Sequence, residues 1–166
     1  MKTIICTICA LAFAMSMTAQ EENKTGWVVG EQESSFPGEM IEYAVSQARE
    51  TIEGEDGPIV VSLNAMIFRG ALRYFLSSKG ENFVVDHLQM QRVLINIDDG
   101  RATNYALVGN NTYTSNSLTF DGSYKNQFKK LLKKGGKICN AVVEFEKSGQ
   151  KTVSFNIEGL PDKFLK

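Results

Sequence analysis

The chain has 166 residues, with 18 Lys+Arg against 19 Asp+Glu, one histidine and three cysteines. That length is one domain by the usual size prior. A single histidine, with one cysteine outside the N-terminal apolar run, cannot supply a structural zinc set.

The chain opens with Met1-Lys2, an apolar run from Ile4 to Met17, and then Thr18-Ala19-Gln20 before the acidic pair Glu21-Glu22. This is the plan of a secretory signal peptide. Residues 1–19 are expected to be removed by a cut near Ala19, because a small residue fits the peptidase pocket there. The run is shorter than the ~20 residues a spanning helix needs, so no membrane span is expected in the mature chain. Residues 20–166 then form a single β-rich domain, secreted or periplasmic. A chain of that size can hide about two thirds of its unfolded surface without covalent staples. Its one thiol, Cys139, lies in "KICNAVVEF" and reads as a small buried hydrophobe. A catalytic thiol would want a histidine partner, and His87 is the only candidate.

"TGWVVGEQES" offers a first strand. "MIEYAVSQARETIEG" fits both a helical stripe (Met40, Tyr43, Ala44, Ala48) and strand alternation (Ile41, Tyr43, Val45). After the "GEDG" turn, "PIVVSLNAMIFRGALRYFL" reads as two strands, with Gly70 as a bulge. In "MQRVLINIDDGRATNYALVG", Val93, Ile95 and Ile97 point one way and Arg92, Leu94 and Asn96 the other. Asp99-Gly100 marks a hairpin turn, and "NNTYTSNS" reads as a polar loop.

Ser123 is the expected cap of a helix over about 123–134. Tyr124, Phe128, Leu131 and Leu132 form its apolar stripe, and Gly135-Gly136 ends it. Two strands then surround Ser148-Gly149. "LPDKFLK" suggests a short C-terminal helical turn with Pro161 at its first position. Strands, one helix, then strands exclude a βαβ nucleotide-binding sheet. The expected fold is α+β: a mainly antiparallel, sandwich-like sheet with one amphipathic helix packed on it.

Residues 20–57 carry ten Asp/Glu and two Lys/Arg, whereas residues 58–166 carry nine and fifteen. The densest basic stretch is "FKKLLKKGGK", where Lys129, Lys130, Lys133 and Lys134 fall off the apolar stripe. Lysines at a helix C-terminus are favoured by the helix dipole, so a solvated helix face accounts for most of the pattern. The sharper reading is a surface for an acidic partner, joined by Arg92 and by Arg69 and Arg73. A nucleic-acid partner is not expected: the cluster has no arginine and no aromatic platform.

Signals for chemistry are thin. Asp98-Asp99-Gly100 lacks further oxygen ligands at calcium spacing. Glu144 and Glu146 alternate with Val143 and Phe145, as solvent-side strand positions do; glycoside hydrolysis needs carboxylates facing across a cleft. Ser148-Gly149-Gln150-Lys151 has the Ser-x-x-Lys spacing, but in a hairpin turn and without companion motifs. The expectation is a protein that is not an enzyme and has no catalytic residue, cofactor or metal.

Trp27, the Gly57-Pro58 turn with "IVVSL", "RVLINIDDGRA", "SLTFDGSYKNQFKKLLKKGGKICNAVVEF" and "VSFNIEGLPDKF" follow one another across residues 26–165. This order resembles the VasI-like small periplasmic proteins associated with type VI secretion and their phage-derived relatives. Phe155, Gly159 and Leu160 match that group's ending, and Arg92 and Asp98 its hairpin. Members often carry two cysteines, where this chain has Leu63-Asn64 and no terminal cysteine, so a shared disulfide is out of play. The resemblance makes "MIEYAVSQARE" a strand and implies an exported accessory module with no active-site residues. The expected function is binding of another cell-envelope protein. The alternatives are a cell-wall glycan hydrolase or inhibitor, and a carrier of a small apolar ligand between sheet and helix.

Overall fold

The computed structural model describes residues 26–166. The expected signal peptide, its cut near Ala19, and Cys6 and Cys9 lie outside the described residues. The described chain is α+β with a dominant antiparallel sheet. The first strands are β1 (Val28–Glu33), β2 (Met40–Gln47), β3 (Ile52–Gly54), β4 (Gly57–Phe68) and β5 (Ala71–Lys79). Next come β6 (Phe83–Val84), β7 (Met90–Ile97), β8 (Thr103–Gly109), β9 (Thr114–Ser115) and β10 (Ser117–Phe120). Helix α1 (Gly122–Lys133), β11 (Ile138–Phe145), β12 (Gly149–Asn156) and a 3-10 turn at Asp162–Leu165 complete the order.

Along the sheet the order is β1-β2-β4-β5-β10-β8-β7-β11, with β12 on β11 and β3 on β4. The sheet curls until β12 meets the end of β2, leaving β1 beyond that seam. Ala48 bridges Phe155, the Arg49 N–H donates to the Ser154 carbonyl at 2.8 Å, and the Ser46 hydroxyl donates to the Asn156 carbonyl at 2.6 Å.

Alternation dictates which face turns inward. Ile59, Val61, Leu63 and Ala65 of β4 are buried, as are Val93, Ile95 and Ile97 of β7. Ala65 pairs with Tyr74 and Leu63 with Leu76, so the inward positions of neighbouring strands coincide. Arg92 and Leu94 point outward, as their alternation requires. The ambiguous segment is extended, forming β2, paired to β1 on one side and β4 on the other, and then the short β3, which also pairs with β4.

Several local expectations are corrected. Gly70 is not a bulge. Arg69 and Gly70 form the two-residue turn between β4 and β5, with φ of 51° and 73°, and Phe68 pairs directly with Ala71. Positive φ at both central positions matches the twist of a tight hairpin, and glycine adopts it without strain. In the β7–β8 connection the left-handed residue is Asp98, at φ 50°. The helix cap is Asp121 rather than Ser123, because Asp121 has extended backbone and its carboxylate accepts the Gly122 N–H at 2.7 Å. Pro161 precedes the last helical turn instead of occupying its first position. The polar loop contributes β9, which pairs with β6.

Candidate functional site

Helix α1 is fixed by its apolar stripe. Phe128 is fully buried; its ring stacks on Phe120 at 4.1 Å and meets Tyr74 and Tyr105 edge-on at 5.5 and 6.1 Å. These rings fill the space between sheet and helix, where a carried ligand would have to sit. Leu132 is also buried, and Tyr124 and Leu131 pack partly against the core. The Tyr74 hydroxyl donates to the Phe164 carbonyl, which ties the C-terminal turn beside the helix. Burial pushes the Tyr74 hydroxyl well above its ordinary pKa.

This packing sets the lysines. Lys130, Lys133 and Lys134 are exposed on the side away from the core. Lys129 is half-buried, and its Nζ donates to the Lys166 carbonyl at 2.8 Å. The chain leaves the helix through Lys134, whose N–H donates to the Leu131 carbonyl at 3.2 Å. At Gly136 a Cβ would lie 2.2 Å from Ile97 Cγ2, so the exit can run against β7 only without a side chain.

Asp98 then fixes the next strand. Its carboxylate accepts the N–H groups of Ile138 and Lys137, at 2.9 and 3.0 Å. These two bonds, Ile138 first, hold the Asp98 carboxyl below the usual carboxylate range. The result is a shallow cleft of about 490 Å³ between the helix end and the C-terminal turn. Leu132, Ile157, Leu160 and Leu165 line it, together with Lys133, Lys137 and the carboxylates of Asp98 and Glu158. Lys137 is exposed as well.

The expected basic surface is therefore only partly assembled. Lys130, Lys133, Lys134 and the cleft lysine Lys137 gather at one end of α1. Arg92 does not join them: it projects from the outer face of β7, while the rings under α1 belong to the inner face. Arg73 also points outward, opposite Met66 on β4. Arg69 is engaged elsewhere. It forms a two-pronged ion pair with Glu39 at 2.8 Å and lies over the rings of Phe36 and Phe68.

The candidate chemical groups do not gather at one place. Cys139 is buried, which pushes its thiol up to about 12, while His87 is exposed in a turn. Ser148 donates its N–H and hydroxyl to Glu81, at 2.7 and 2.6 Å, so it shapes the β11–β12 turn. Burial works to raise the Glu81 carboxyl, but hydrogen bonds from Ser148 and Lys147 outweigh it and hold it low. Glu144 and Glu146 are exposed. Sequence reasoning missed Gln91, a buried amide on β7. It donates to the Val84 and Glu144 carbonyls and accepts the Glu144 N–H, joining β6, β7 and β11. Among the described residues, no three of His, Cys, Asp and Glu gather where they could hold a metal ion. No helix among them is long and apolar enough to cross a membrane.

Comparison with known families, characterised proteins and solved structures finds no match to this chain. The likeness to the VasI-like group rests on its sequence motifs alone.

Proposed function

We propose that this protein is an exported, non-catalytic interaction module that binds an acidic segment of another cell-envelope protein. The binding surface is the C-terminal end of α1. The carrying observation is that Lys130, Lys133, Lys134 and Lys137 are all exposed beside a leucine-lined cleft, and no ion pair among the described residues involves them. The leucines offer a seat for one hydrophobic side chain, and the exposed lysines near it, which outnumber the lining carboxylates Asp98 and Glu158, suit acidic residues on either side of that side chain. Charges of this kind steer association and set specificity more than they add raw affinity. Lys129 contributes less than its neighbours, because its ammonium is already held by the Lys166 carbonyl. Arg92 belongs to another face and is left out of the surface.

The test is capture from a detergent-solubilised envelope extract at low and moderate salt. A Lys130→Glu, Lys133→Glu variant runs beside the native protein. One protein retained by the native chain, weakened by salt and lost with the variant, supports the reading. Equal retention by both chains contradicts it.

A further inference from the structure

We infer that the outer edge of β1 is a docking edge for an extended basic segment of another protein, which adds to the sheet as one more strand. The inference is independent of the lysine surface. β1 ends the strand order and is paired only through β2. Edge strands present a row of unpaired N–H and C=O groups, and proteins usually shorten, bulge or cover them. β1 runs six residues in continuous register with β2, from Val28↔Val45 to Glu33↔Met40. Its adjacent Val28 and Val29 are 39% and 44% exposed. Adjacent strand residues face opposite sides, so both faces of β1 offer apolar surface. Met40, opposite Glu33 on β2, and Phe36 in the turn that follows β1 are each 49% exposed and continue that surface.

Charge selects the occupant. Val29, Glu31 and Glu33 share one face of β1 by alternation. Glu31 lies directly opposite Glu42 of β2, and like charges directly opposite are unfavourable. Lys163 pairs with Glu42. Among the described residues no cation pairs with Glu31 or Glu33. An incoming strand with lysine or arginine opposite these two carboxylates would neutralise them. On its other face, apolar residues would cover Val28. A second β1 would bring more carboxylates to the same place, so self-pairing is disfavoured. Strand addition of this kind takes affinity from main-chain bonds and specificity from alternate side chains.

The experiment uses the purified protein and three labelled decapeptides. One alternates lysine and valine, one alternates glutamate and valine, and the third is the lysine peptide N-methylated at every second amide. Binding is read by fluorescence anisotropy, and the site by amide hydrogen exchange. The lysine peptide should bind and slow exchange across Val28–Glu33 by about tenfold or more. The N-methylated peptide keeps the charge and side chains but loses one bonding edge, so it should not bind. A Glu31→Lys, Glu33→Lys variant should reverse the preference to the glutamate peptide; the N-methyl comparison stands even if that variant fails to fold. Equal binding of the N-methylated peptide would reduce the effect to charge alone and overturn the proposal. So would protection outside β1, no binding, or peptide-free self-association that protects β1.

Discussion

Helix α1 packs on the inner face of the sheet and strand β1 forms its edge, and the two are held in opposite ways. α1 drives Phe128 and Leu132 into the core and leaves its lysines wet. β1 has no buried residue along its length. Just before it, Trp27 is buried, and its indole N–H donates to the Ile157 carbonyl at 2.9 Å. The helix is thus part of the domain's cohesion, with one face left for binding. The strand hangs from one neighbour and from the Gly26–Trp27 anchor, where the Gly26 N–H also donates to the Glu158 carbonyl at 3.0 Å. Opposite charge follows the same division: cations crowd the helix end, and uncompensated carboxylates lie on the edge strand. The acidic and basic halves counted in the sequence partly neutralise each other, because the ion pairs Glu39–Arg69, Glu42–Lys163 and Asp56–Lys147 each join one half to the other; Glu31, Glu33 and the helix-end lysines stay outside those pairs.

Removing the ring under the helix should have the largest effect. Phe128→Ala is expected to cost ~3–5 kcal/mol of stability, read as a large fall in denaturation midpoint; a cost below about 1 kcal/mol would deny the helix its place in the core. Trp27→Phe should cost about 1–3 kcal/mol by leaving the Ile157 carbonyl unsatisfied. Hydrogen exchange should then speed up over β1 more than over α1. Equal acceleration in both would mean that Trp27 supports the whole fold rather than the strand.

Asp98 sharpens the helix side of the comparison through pH. Its folded pKa is depressed. The stability it contributes is present above its unfolded value, about 3.9, and is lost as pH falls through the lower folded value. Asparagine tolerates the left-handed backbone there. The melting-temperature gap between native protein and Asp98→Asn should stay constant above about pH 5 and close in stronger acid. A gap independent of pH would show that the carboxylate's charge contributes nothing. The smallest effect belongs to the binding face. Lys130→Glu with Lys133→Glu should change stability by no more than about 0.5 kcal/mol per site, measured by denaturant titration. A much larger loss would mean that these side chains support the fold.

Much of this architecture is legible in alternation. β7 declares its inner face residue by residue, and the same pattern already places Arg92 outward. The helix is legible from its four-residue stripe, and its lysines follow as the remainder. What escapes depends on meetings between distant residues or on very short elements. β3, β6 and β9 hold three, two and two residues, too few for a period to show. Asp98 reads as turn chemistry, yet it organises N–H groups 39 and 40 positions away. Gln91 looks like a solvent residue until β6 and β11 close around it. Asp121 and Ser123 are both good cap residues, and only the backbone geometry selects Asp121.

The most direct test of the lysine surface is site-specific photo-crosslinking in intact cells, with the photoreactive residue at position 133 or at position 92. The two positions are both exposed, but one borders the cleft at the helix end and the other lies on the opposite face of the sheet. A discrete adduct with an envelope protein is expected from position 133 and none from position 92. An adduct from position 92 alone, or none from position 133, would contradict that expectation.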